Sequence, residues 1–131
     1  MTEKNNSILT PMARVRSLGA ARSGTRHFWQ QRVTSVAGIP LTIAFLILFL
    51  AVAGRNHAAV VQILASPIAV IVMLLFIITN VYHMWLGMQV VIEDYVHDEV
   101  WKFASLMANS FFCFTVALAC IYATLKLSFG V

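Results

Sequence analysis

Residues 67–99 read PIAVIVMLLFIITNVYHMWLGMQVVIEDYVHDE, an apolar run of about 26 residues that carries one ionisable group, His83, before turning acidic at Glu93. A helix needs about 20 apolar residues to cross the hydrocarbon core of a bilayer, so this run is long enough to span it. Backbone polar groups in lipid must bond within their own segment, which makes the span a helix and not an isolated strand. An ionisable side chain held within hydrocarbon is costly, and it faces a partner, a cavity or a cofactor.

Two further apolar stretches flank this one, from about Val33 to Gly54 and from about Phe103 to Leu125. Of the 131 residues 60% are hydrophobic and only 11% charged, too little charge to cover a soluble domain of this size. The fold class expected is therefore an all-α membrane protein with three transmembrane helices, spans about 33–54, 67–92 and 103–125, in one domain over residues 17–131. Residues 1–16 form a polar, basic tail. No cleaved secretory signal is expected, because about 30 polar and basic residues precede the first apolar run.

The net charge of +4 raises the question of nucleic acid, but its distribution answers it. Six of the nine Lys and Arg residues (Lys4, Arg14, Arg16, Arg22, Arg26 and Arg32) precede the first span, as in a flank that stays on the cytoplasmic side. Aromatics join these charges only at His27-Phe28-Trp29, too few for a base-stacking platform, so no nucleic-acid partner is expected. With the amino terminus inside, Lys102 joins those six on the inner side, and only Arg55 and Lys126 lie outside. The expected topology is N-in, C-out.

Local signals fit these spans. Gly54-Arg55-Asn56-His57 reads as a polar turn closing the first, and Ser66-Pro67 as a cap and first helical turn opening the second. Pro40, inside the first span, is expected to loosen or kink it. Glu93 to Lys102 reads as the connection between spans two and three, with Trp29 and Trp101 at the headgroup level. Cys113 and Cys120 share a helix face and read as small membrane-buried hydrophobes.

Three places could carry chemistry. On a helix, Asn80, His83, Gly87, Val90 and Asp94 fall near one face, and Gly87 leaves space where a flat macrocycle could approach. His83 is either an axial haem ligand or a histidine bonded to a neighbouring helix. His27, His57 and His97 all lie at or beyond span ends, so a second axial ligand would have to come from another chain. The acidic run from Glu93 to Glu99 is either a solvated loop or a quinone site, in which the Tyr95 phenol donates to a carbonyl and carboxylates or His97 relay protons. Twelve residues separate His83 from Tyr95, about 18 Å of helix rise. Arg32, near the inner boundary, could hold a carboxylate such as a haem propionate or could snorkel to lipid phosphate.

The stretch Gly24-Thr-Arg-His-Phe-Trp-Gln-Gln-Arg-Val-Thr34, together with the His-x-Trp-x-Gly spacing from His83 and Asp94-Tyr95 beyond it, resembles the small hydrophobic membrane anchors, or cytochrome b small subunits, of succinate dehydrogenase, respiratory complex II. The resemblance runs from about Ser17 to the carboxyl end and is nearest the alphaproteobacterial and mitochondrial branch. It implies a bacterial inner-membrane location and packing against a companion three-helix cytochrome b anchor subunit. It also implies a mounting for an iron–sulfur subunit and a flavoprotein subunit. It places His83 on the haem b axial-ligand position, Arg32 on the propionate-contacting arginine, and Tyr95 with Asp94 on the ubiquinone-binding position. Some members carry a histidine where this chain has Arg26, and His27 stands one place later, so neither is assigned a role.

Nothing in the chain is suited to oxidising succinate: it lacks a dinucleotide-binding glycine fingerprint and a cysteine set for a cluster. The expected role is a non-catalytic subunit of an oxidoreductase. The nearest alternative is the anchor of a quinol:fumarate reductase, the same architecture run in reverse. A small proton-conducting or transporter subunit would call for further intramembrane ionisable residues or repeats, which are not seen. A purely structural assembly protein would tolerate substitution at both His83 and Tyr95.

Overall fold

A computed structural model describes residues 23–129, so the tail expected over residues 1–16 lies outside the described residues. Within them the chain is helical: α1 (Ser23–Val52), α2 (His57–Leu64), α3 (Pro67–Tyr95) and α4 (Glu99–Phe129). Three of these, α1, α3 and α4, are long and apolar enough to cross a membrane, as the three-span reading requires.

Each of the three long helices extends past the apolar run that announced it. α1 starts at Ser23, about ten residues before the apolar stretch, and continues through Pro40 to Val52 without a break. It ends where Gly54 adopts a φ of 74°, a left-handed conformation that favours glycine, and Arg55 N–H bonds back to the Val52 carbonyl. α3 begins with Pro67 in its first turn, where the missing N–H costs no helical bond. Ser66 occupies the cap position by backbone only; its hydroxyl donates instead to the Ile63 carbonyl, at 2.7 Å.

The connection between α3 and α4 shrinks to Val96–Asp98. Asp98 Oδ1 accepts from Val100 N–H and Trp101 N–H, both at 3.0 Å, and so caps α4. Lys102 Nζ donates to the Glu93 carbonyl at 3.1 Å, placing a cation at the carboxyl end of α3, where the helix dipole favours one. Helix α2 lies outside the three-span pattern. Asn56 starts it, its side chain accepting from Ala59 N–H at 2.9 Å, and it touches α1, α3 and α4 at the end where α1 finishes.

α3 is the middle of the arrangement. It packs along both α1 and α4, whereas α1 and α4 make no such packing with one another among the described residues. The buried side chains, Ala69, Val70, Leu86, Ile92, Cys113 and Thr124, all belong to α3 and α4, with Leu86 only 1% exposed. Most other apolar side chains face outward, as expected where the surrounding medium is hydrocarbon. Phe45 of α1 stacks on Phe76 of α3, with ring centroids 4.3 Å apart and planes nearly parallel.

Candidate functional site

His83 lies on the side of α3 that faces α1. Its Nδ1 is 3.0 Å from Thr34 Oγ1, a contact between residues 49 positions apart in the chain. No hydrogen bond reaches Nε2 from the described residues. Beside the ring lies a groove of about 470 Å³ between α1 and α3. Its walls mix aliphatic side chains with Thr34, Ser35, Thr42, Thr79 and Asn80. Thr34, Ser35 and Asn80 bond to carbonyls of their own helices, so these polar groups are satisfied within the span.

Among the described residues no three His, Cys, Asp or Glu side chains gather into a metal-holding group. His83 is the one side chain of these types that lines the groove. One histidine could supply one ligand to a metal-bearing group, and a histidine whose Nδ1 is already engaged suits binding through Nε2. Of the two alternatives for His83, the bond to a neighbouring helix is present, made through Nδ1.

Gly87, one turn further along, does not present open space. A Cβ there would meet Gln31 Nε2 of α1 at 3.7 Å, an ordinary contact distance, so the glycine faces the end of the Gln31 side chain.

The remaining site residues lie apart from this groove. Arg32 is exposed, and its guanidinium sits 4.5 Å from the centre of the Phe28 ring. Asp94 and Tyr95 form the end of α3; both are exposed, Tyr95 at 78%. α3 is continuous between His83 and Tyr95, so the helix rise of about 18 Å between them holds. The buried His27 Nε2 has no hydrogen-bond partner among the described residues.

On the opposite side of α3 is a polar cluster that sequence spacing does not reveal. Trp85 Nε1 donates to Ser110 Oγ at 3.2 Å, and Asn109 Nδ2 donates to the Trp85 carbonyl at 3.2 Å. Thr34 is equally inconspicuous in the sequence, although it ends the motif that begins at Gly24. Its signal is a hydroxyl at the mouth of an apolar run, which becomes specific only once α1 and α3 are paired.

The family described as "Succinate dehydrogenase/Fumarate reductase transmembrane subunit" matches residues 6–120. The chain is 28% identical over 122 residues to the succinate dehydrogenase hydrophobic membrane anchor subunit of Paracoccus denitrificans, covering 93% of this chain and 94% of that protein. It is 31% identical over 112 residues to the protein of the same name from Rickettsia bellii, covering 86% and 90% of the two. The Rickettsia conorii protein is 29% identical over 114 residues, again covering 86% and 90%. No solved structure matches the chain. With three membrane-length helices and a match along nearly its whole length, this chain belongs to the succinate dehydrogenase/fumarate reductase transmembrane subunit family.

Proposed function

We propose that this chain is the hydrophobic membrane anchor of a succinate dehydrogenase, a multi-pass protein of the bacterial inner membrane oriented N-in, C-out. It holds the iron–sulfur and flavoprotein subunits at the membrane together with a companion cytochrome b anchor subunit, and it has no catalytic role by itself. The observation that carries this reading is the similarity of nearly the whole chain to proteins named as succinate dehydrogenase anchors. Those names also favour succinate oxidation over the reverse direction that the family description allows.

In this reading His83 is the chain's axial ligand to haem b, and the groove between α1 and α3 admits the macrocycle. His83's bonded Nδ1 and the groove beside its ring support the assignment. When bound, haem supplies a one-electron redox centre within the membrane. Arg32 contacts a propionate; its exposure and its position one turn beyond Phe28 leave its donors free for a carboxylate. Tyr95, with Asp94 beside it, hydrogen-bonds ubiquinone at the membrane boundary, where exposed polar side chains end a long apolar helix.

The test is affinity purification of the tagged chain from its membrane in mild detergent, followed by an optical spectrum. Flavin and a reducible b-type haem are expected to co-purify. Isolation without a flavoprotein would overturn the reading.

A further inference from the structure

We propose that Thr34 is a positioning residue that fixes the tautomer of His83: its hydroxyl oxygen accepts a hydrogen bond from Nδ1–H, and Nε2 is thereby left with its lone pair available to iron. The inference rests on the reading of His83 as a haem ligand.

Thr34 Oγ1 lies within hydrogen-bonding distance of three atoms: the Gln30 carbonyl at 2.9 Å, the Gln31 carbonyl at 3.0 Å and His83 Nδ1 at 3.0 Å. A hydroxyl has one proton to give and two lone pairs to receive. The two carbonyl oxygens can only accept, so they compete for that proton. If the proton went to Nδ1 instead, the hydroxyl oxygen would face two carbonyl oxygens at contact distance with nothing between them. The Gln31 carbonyl also accepts from Ser35 Oγ at 2.8 Å, which directs the Thr34 proton toward the Gln30 carbonyl. Bonding of a threonine hydroxyl to the carbonyl four residues earlier is a common helical arrangement. Toward His83 the oxygen is then an acceptor, Nδ1 carries the proton, and Nε2 of the neutral ring is bare.

Local packing holds this pair in register. One turn before Thr34, Gln31 rests against Gly87, one turn after His83. The two cross-helix contacts, 31 with 87 and 34 with 83, form successive rungs between antiparallel helices. Bonding to the Gln30 and Gln31 carbonyls holds the threonine side chain in the rotamer that points its hydroxyl back along the helix. An acceptor on the distal nitrogen of a ligating histidine fixes the ring's orientation and raises its basicity, which favours the ferric state of bound iron.

The experiment compares Thr34→Val, Thr34→Ser and His83→Ala in the complete complex, each by optical redox titration and by the rate of haem loss. Valine keeps the branched shape and removes the acceptor; serine keeps the acceptor. We expect Thr34→Val to raise the haem midpoint potential and to weaken haem retention by about 10- to 100-fold, the usual cost of losing such a partner. Thr34→Ser should stay near the parent in both. A Thr34→Val complex with unchanged potential and retention, or a Thr34→Ser complex that behaves like it, would overturn the role of Thr34. Survival of the Soret band in His83→Ala would instead overturn the ligand assignment beneath it.

Discussion

His83 and Trp85, two residues apart on α3, bond to opposite neighbours: His83 to Thr34 of α1 and Trp85 to Ser110 of α4. Two helical steps turn the side chain through about 200°, so alternate positions of one short segment address different partners. The middle helix joins the other two through polar contacts at almost the same membrane depth, where hydrophobic burial drives association little because the tails are equally apolar.

The Trp85–Ser110 bond should be measurable as a coupling. In a double-mutant cycle of Trp85→Phe and Ser110→Ala, scored by thermal unfolding of the detergent-purified complex, an interaction of about 0.6 kcal/mol is expected, typical of polar pairs between membrane helices. Strict additivity of the two single changes would show that the contact contributes nothing.

Gly87 faces the end of the Gln31 side chain. At 3.7 Å a Cβ makes ordinary contact with Gln31 Nε2, so Gly87→Ala should be nearly neutral. Gly87→Leu would drive a branched side chain into the same space, and a loss of about 1–3 kcal/mol is expected from overpacking. Melting temperatures of the two variant complexes distinguish these outcomes; equal behaviour would remove Gln31 as the limiting neighbour.

Tyr95→Phe removes one donor from an exposed ring and alters no contact within the described chain. Assembly and succinate oxidation with an artificial acceptor should be retained. Quinone reduction should fall roughly tenfold, the equivalent of one hydrogen bond. Unchanged quinone turnover would take Tyr95 out of the site.

The distribution of basic residues predicts the orientation. Alkaline phosphatase fused after Phe129 should be active and a fluorescent protein at the same point dark, because the excess of Lys and Arg before α1 predicts an outside carboxyl end. The converse pattern would invert the topology.

The spans are readable because each is a long run with few or no charges, the strongest signal that a membrane imposes on sequence. Helix ends are less readable. α1 begins at Ser23, ahead of the mostly polar stretch Gly24–Arg32 that no apolarity criterion selects, and α4 begins with Glu99 behind the Asp98 cap. Helix α2 escapes because eight residues are too few to span a bilayer; its signal is Asn56, a capping residue that also reads as part of a turn. At the site, His83 stands out as the one ionisable group in its run. Thr34 and Gln31 do not, because their significance depends on the register between two helices that sequence spacing alone does not specify.

The three-residue link Val96–Asp98, closed by Asp98 on one side and Lys102 on the other, leaves α3 and α4 almost no slack where they meet. One insertion there would act as a shim, lifting one helix against its neighbour and breaking the Trp85–Ser110 alignment about 15 Å away. The height of the phenol on Tyr95 is thus gauged by the hairpin itself, and a docking surface placed over this corner would meet it at a fixed level.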